Sequence, residues 1–156
     1  MKKAMQIILT ILVIAIALSG YSLWSNNVPW EKSPGFWPRL KVYLSQNVAE
    51  TNEQAIFPEL IPRTYPMASK QLFDELTQHI VALGWNLESV DGDKLELKAT
   101  ITTRWLKFTD DITIRLEPVS KNQTRLHIRS ASRIGRADYG ANLGHIMRLN
   151  WNLEAL

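Results

Sequence analysis

The chain has 156 residues, 46% hydrophobic and 21% charged, enough for one globular domain with a short appendage. It has no cysteine, which excludes disulfides, thiolate zinc sites and cysteine nucleophiles. The formal net charge of +3 is too small to indicate a nucleic-acid partner. No metal-ligand spacing joins His79, His127 and His145, so neither a metal nor another cofactor is expected.

An apolar segment begins close to the N-terminus. Residues 4–24 carry no charge, and their length matches the ~20 residues that a helix needs to cross a bilayer. Lys2 and Lys3 precede them, which favours an N-terminus in the cytoplasm. Residues 15–17 (AIA) would also suit a signal-peptide cleavage site, but the apolar run continues beyond them. Residues 1–25 are therefore expected to be an uncleaved single-pass anchor in the bacterial inner membrane, with a periplasmic C-terminal domain.

A linker with one short amphipathic helix is predicted over residues 26–56. The helix would begin near Pro38 and place four apolar side chains near one face: Leu40, Tyr43, Leu44 and Val48. Packing of this helix on the domain is favoured, although Trp37, Arg39 and Lys41 would also suit the membrane surface. Residues 49–67 contain three prolines and are predicted to run extended over the surface without regular structure.

Residues 57–156 are predicted to form an α+β domain. A helix capped by Ser69 has an apolar stripe and ends at Gly84. Alternating apolar and polar residues then predict four strands, with a turn at Asp91-Gly92 and a bulge near Trp105. A final helix begins at about Asp138 or Gly140. This order predicts a four-stranded antiparallel meander with both helices packed on one face.

The last two strands can be aligned by their apolar faces. The inward pairs are Leu116 with Leu126, Ile114 with Ile128, and Ile112 with Ser130. The outward pairs are Glu117 with Arg125, Arg115 with His127, and Thr113 with Arg129. A tight turn after Phe108 would bring Arg104 to the same outer face as Arg115 and Arg129.

Asp110 points to the opposite face, near Ser130 and Ser132, where the helices should cover it. A buried carboxylate needs a partner. The candidates are Arg133, Arg136 and the N-terminus of the last helix, which Asp138 would cap.

Two interpretations of this polar region compete. Residues 104–136 contain eight basic and three acidic residues, so surplus guanidinium groups, hydroxyls and helix N–H groups could hold an anion. The candidate ligand-binding residues are Arg104, Arg115, Arg129, Ser130, Ser132, Arg133 and Asn142. In the structural interpretation, which is favoured, the arginines are neutralised in a polar network with Asp110, Asp111 and Asp138.

The same residues carry a family resemblance. The pattern F-x-D-D-x-x-x-R lies at residues 108–115, and R-S-x-S-R-x-G-x-x-D-x-G-x-N lies at residues 129–142. Together with PELIPRTYPM at residues 58–67, these motifs resemble an uncharacterised bacterial and plastid family known as domain of unknown function 1499. The resemblance runs from about Phe57 to Leu153. It implies that the motif residues are the family's signature positions, and it implies no reaction.

Three functions remain open at this point. The first is a membrane-tethered, non-enzymatic domain that binds an anionic small molecule, a lipid headgroup or an envelope protein. The second is a hydrolase that uses Asp110 and Asp111 with Ser130 or Ser132. Against it, adjacent strand aspartates point to opposite faces, and His127, the one histidine expected nearby, lies on the outer face. The third is a purely structural accessory subunit. No catalytic residue is assigned.

Overall fold

The structure is a computed structural model that describes residues 2–103 and 107–153. These described residues form four α-helices: α1 Lys2–Ser25, α2 Phe36–Tyr43, α3 Ser69–Ala82 and α4 Ala141–Leu153. The same described ranges contain six strands: β1 Val48–Glu50, β2 Arg63–Tyr65, β3 Asn86–Asp91, β4 Glu96–Thr102, β5 Thr109–Ser120 and β6 Gln123–Ser132. A short 3₁₀ helix covers Pro58–Leu60. The bulge expected near Trp105 and the expected position of Arg104 lie outside the described residues.

The described strands form one antiparallel sheet in the order β1-β6-β5-β4-β3, and β2 also pairs with β6. The prediction of four strands is therefore wrong, since β1 and β2 add to the meander. The prediction of no regular structure over residues 49–67 is wrong for the same reason. Each added strand has three residues, too few for a pattern of alternation to be recognised. Both pair along the outer edge of β6, where a neighbouring proline is tolerated.

The register of β5 against β6 agrees with the prediction at all six predicted pairs. Ile112 lies opposite Ser130, Ile114 opposite Ile128, and Leu116 opposite Leu126. The outward pairs of Thr113 with Arg129, Arg115 with His127, and Glu117 with Arg125 follow from it. The agreement reflects the strict two-residue period of a strand, in which a slip of one residue would turn every apolar side chain to water.

Helices α3 and α4 cover the apolar face of the sheet. Their buried apolar side chains are Leu72, Phe73, Leu76 and Ile80 on α3, and Leu143, Ile146, Leu149 and Leu153 on α4. The left-handed backbone of Gly84 (φ +75°) ends α3, as predicted. Ser69 is not the N-cap, however. Ala68 holds that position, and the Ser69 hydroxyl is hydrogen-bonded to Thr124 Oγ1 instead.

Helix α2 packs on the domain, as predicted, but through an unexpected residue. The Arg39 side chain is completely buried. Its guanidinium donates to Glu59, to the Tyr43 hydroxyl, and to the carbonyl oxygens of Lys32 and Ser33. The suggestion that Arg39 suits a membrane surface is therefore wrong.

Helix α1 differs from the other helices because it has no buried residue. Its 24 residues include a stretch with a mean hydropathy of 2.3. By length and composition it could cross a membrane, and a signal sequence would have the same properties.

Candidate functional site

The outer face of the sheet, opposite α3 and α4, carries an open concavity of about 670 Å³ over β5 and β6. Strand alternation places Thr113, Arg115 and Glu117 of β5 along it, and His127 and Arg129 of β6 beside them. Glu50 of β1 closes one side. The concavity therefore presents cationic and anionic side chains on a face that no helix covers.

Arg115 and Arg125 on this face are paired with acids from other parts of the chain. Arg115 Nε lies 2.6 Å from Glu96 on β4, and this bond lowers the pKa of the Glu96 carboxyl. Arg125 Nη1 lies 2.7 Å from Glu53 and 3.5 Å from Glu117. Residues 104–136 contain more basic than acidic residues, but the folded structure offsets part of this excess. Glu53 and Glu96, which pair with arginines of this segment, lie outside it in the sequence.

Arg129 is the least engaged arginine on the lining of this concavity. Within the described part of the chain its only ion pair is with Glu50 Oε2, at a distance of 3.7 Å. That distance is too long for a direct hydrogen bond. The side chain is 44% exposed. Arg129 therefore retains guanidinium N–H donors that can turn toward a ligand.

His127 completes the polar lining of the concavity. Its Nε2 lies 2.9 Å from Glu117 Oε2, and this hydrogen bond is the main cause of the lowered pKa of Glu117. Glu117 is thereby shared between His127 and Arg125. Of the two arginines that line the concavity, Arg129 is therefore the one whose guanidinium is more available to an anion.

Arg133 lies at the end of β6 and is fully engaged with Asp111. The guanidinium contacts both carboxylate oxygens, with Nη2 2.7 Å from Oδ1 and Nε 3.0 Å from Oδ2. This pairing is the main reason that the pKa of Asp111 is lowered. Asp111, and not Asp110, is therefore the partner of Arg133.

On the inner face, Ser130 and Asn142 belong to a buried network that joins β6 to α4. Ser130 Oγ donates to Asn142 Oδ1, and Asn142 Nδ2 contacts Asp138, Ser132 and the carbonyl oxygen of Asn47. Both Ser130 and Asn142 are 0% exposed. They cannot contact a ligand in the concavity, which lies on the other side of the sheet.

Asp138 caps α4, as predicted. Its carboxylate accepts the backbone N–H of Gly140 at 2.8 Å and that of Asn142 at 3.1 Å. Burial raises the pKa of Asp138, and the hydrogen bonds from Gly140 and Asn142 oppose that rise.

Asp110 is buried beside His145, a residue that the sequence analysis did not connect with it. Its Oδ2 lies 3.7 Å from His145 Nδ1, so the expected pairing with Arg133 or Arg136 is wrong. His145 comes from α4, three residues after Asn142, so helical spacing places both side chains toward the sheet. That spacing was the signal that could have located it. Burial is the main cause of the lowered pKa of His145, and the charge of Asp110 opposes it.

Ser130, His145 and Asp110 bring a hydroxyl, an imidazole and a carboxylate together, but not in a hydrolytic arrangement. Ser130 Oγ and Asp110 Oδ2 both approach the same nitrogen, His145 Nδ1, at 3.3 and 3.7 Å. Activation of a serine requires the carboxylate and the hydroxyl to engage different ring nitrogens. Ser130 is also inaccessible to solvent. The expectation that His127 is the one histidine nearby is wrong, yet this geometry does not favour hydrolysis.

The comparison with known families agrees with the resemblance of the motifs. A family model described as a protein of unknown function (DUF1499) matches residues 41–153. The chain belongs to this family. The DUF1499 match begins within α2 and includes every described strand of the sheet, as well as α3 and α4. No curated protein matches the chain.

The residues predicted to bind a ligand in this DUF1499 protein fall into separate groups. Arg115 and Arg129 share the outer concavity, Ser130 and Asn142 lie inside, and Ser132 is half-buried beside Asn142. Arg133 lies at the strand end with Asp111. Arg104 lies outside the described residues. The structure thus brings together only part of the predicted set, and ligand binding stays a prediction.

Proposed function

We propose that this DUF1499 protein is a membrane-anchored envelope protein that acts by binding and not by catalysis. Helix α1 would hold it in the bacterial inner membrane with a single pass. Lys2 and Lys3 favour a cytoplasmic N-terminus, which would place the folded domain in the periplasm. The supporting observation is that α1 is apolar and has no fully buried residue, with Leu23 near its end partly buried against the core of the domain.

The proposed ligand carries a phosphate or carboxylate group that binds in the outer concavity. The observation that carries this proposal is the loosely engaged guanidinium of Arg129, with Thr113 directly opposite on β5. A guanidinium offers paired N–H donors that match the oxygens of either group. The group could belong to an anionic small molecule, a lipid headgroup or an acidic segment of an envelope protein.

Anchoring is tested on the full chain with a C-terminal tag, expressed in a Gram-negative bacterium. We expect the protein to remain in the membrane after alkaline carbonate washing, with its original N-terminus. Protease added to spheroplasts should digest the domain. Release of a shortened chain into the periplasm would show that α1 is a cleaved signal and would overturn this part of the proposal.

Ligand binding is tested by native mass spectrometry of the full chain, extracted gently from cell envelopes. We expect a bound mass that disappears in Arg129→Ala. Arg125→Ala is the matched control, because Arg125 lies on the same sheet face but is held by two acids. Bound mass retained in Arg129→Ala, or lost equally in both variants, would contradict the assignment of Arg129.

A further inference from the structure

The segment that follows α1 is folded onto the domain and does not behave as a loose linker. We call residues 26–30 the strap. Asn26 Nδ2 donates to the Tyr139 carbonyl at 2.9 Å, and Val28 is buried against Gly140. A Cβ on Gly140 would lie only 2.7 Å from Val28 Cγ1, so a side chain at position 140 would displace the strap. Because Gly140 has no side chain, it leaves the space that the Val28 side chain occupies.

The strap also determines the position of α2. The Trp30 ring lies 5.3 Å from Tyr43 and 5.1 Å from Phe36, centroid to centroid. Further along the chain, the Arg39 guanidinium donates hydrogen bonds to the carbonyl oxygens of Lys32 and Ser33. The path from the end of α1 to α2 is thus fixed at several successive points, and so is the position of the domain relative to that helix end.

The loop between β6 and α4 lies at the same junction. Asn47, just after α2, donates to the Gly135 carbonyl at 2.6 Å, and Tyr139 N–H donates to the Tyr43 carbonyl at 3.0 Å. Ile134 is five residues from Tyr139, which limits their separation to about 18 Å even in a fully extended chain. Residues 134–138 therefore lie within about 18 Å of Tyr139, whose carbonyl accepts the hydrogen bond from Asn26 of the strap.

Several large apolar side chains are exposed around this junction. Trp37 on α2 is 75% exposed, Ile134 in the loop 70%, and Trp24 near the end of α1 74%. Arg136 is also exposed, and no ion pair engages it among the residues that the structure describes. Aromatic and basic side chains together are typical of the membrane–water interface, where ring and charge each find a suitable environment.

We propose that a surface formed by Phe36, Trp37, Ile134 and Arg136 rests in the headgroup layer of the bilayer that α1 crosses. This inference rests on the proposed membrane anchoring. It follows because the strap directly after α1, the loop and the chain segment that contains α2 are joined to one another by hydrogen bonds. The apolar groups would lie among the headgroups, and Arg136 would contact lipid phosphates. The domain would then have one fixed orientation on the bilayer.

The test uses the absence of cysteine from the chain. The full chain is placed in nanodiscs of phosphatidylethanolamine and phosphatidylglycerol, and single spin labels are attached after Trp37→Cys or Ile134→Cys. Each variant keeps the other contact residues. Lys121→Cys is the water-exposed control, since it lies beyond the far end of β6, about 30 Å from Ser132. Leu12→Cys reports on α1 itself.

We expect labels at positions 37 and 134 to be more accessible to oxygen than to a nickel chelate, and the label at 121 to show the reverse order. If the label at 12 is lipid-exposed while those at 37 and 134 resemble 121, the surface contact is overturned and anchoring stands. If the label at 12 is itself accessible to nickel, anchoring fails, and the surface contact fails with it.

A second variant tests the strap. Val28→Ser removes the apolar contact with Gly140 and leaves the loop and α2 intact. We expect the label at position 37 to become more accessible to nickel in this background, because the strap loses its buried apolar contact and holds the domain less firmly in one orientation. An unchanged accessibility would overturn the role of the strap.

Discussion

At the scale of single residues, two titratable side chains on helices are buried although no sequence pattern predicts it. Arg39 was expected to suit the membrane surface, and His145 was connected with no partner in the sequence. Arg39 is buried with Glu59, and His145 with Asp110. The partners lie 20 and 35 residues away in sequence and on other elements. Only the folded arrangement reveals such pairs.

The burial of His145 predicts a loss of stability in mild acid. The pKa of His145 is lowered below its ordinary 6.5, mainly by burial. As the pH falls below 6.5, His145 in the unfolded chain binds a proton, whereas His145 in the folded chain remains neutral until a lower pH. The free energy of unfolding therefore decreases. The contribution is fully present above pH 6.5 and is lost progressively below it, until the folded imidazole is also protonated.

This prediction is measured by urea unfolding between pH 8 and pH 5. His145→Gln should show a smaller loss of unfolding free energy than the wild type. Asp138 acts in the opposite direction, because burial raises its pKa, but it is common to both proteins. Equal pH slopes in His145→Gln and the wild type would show that His145 does not carry the effect.

At the scale of elements, alternation along a strand proved more informative than the identity of single residues. The apolar positions of β5 and β6 were enough to predict their register, because only one pairing buries both sets. The partners of the arginines could not be predicted in the same way. Glu50 reaches Arg129 through β1, a strand too short to be recognised from its sequence.

The stretch from Arg129 to Asn142 has two structurally distinct parts. Its arginines face outward, whereas Ser130 and Asn142 form the joint between β6 and α4. We predict that Asn142→Ala destabilises the protein by roughly 2–4 kcal/mol, because it removes several hydrogen bonds of a largely buried network. Ser130 Oγ and the Asn47 carbonyl would both lose a hydrogen bond.

The matched control for that prediction is Arg136→Ala, in the same stretch but exposed, which should change stability by less than about 0.5 kcal/mol. Thermal or urea unfolding of the two variants measures the difference. Similar stability of Asn142→Ala and Arg136→Ala would mean that the joint contributes little to the fold.

At the scale of the whole molecule, the apolar N-terminal helix and the α+β class could both be predicted from the sequence. The extent of the folded unit was harder to predict. Residues 26–56 look like a linker because they are polar and rich in turns, yet they supply β1, the buried Val28 and the buried Arg39. Their contacts are with residues 57–144, so only the folded chain shows what these residues cover.

Because residues 26–56 belong to the folded unit, we can predict the stability of truncated chains. A chain that starts at residue 26 should be nearly as stable as the full chain, because α1 has no fully buried residue and only Leu23 of it packs on the core. A chain that starts at residue 41, where the family match begins, lacks the buried Val28 and loses the buried ion pair of Arg39 with Glu59. Removing one member of a buried ion pair typically costs about 3–5 kcal/mol. Urea unfolding should therefore show a loss of at least about 3 kcal/mol for the shorter chain. Equal stability of the two chains would show that residues 26–40 are outside the folded unit, contrary to the contacts of Val28 and Arg39.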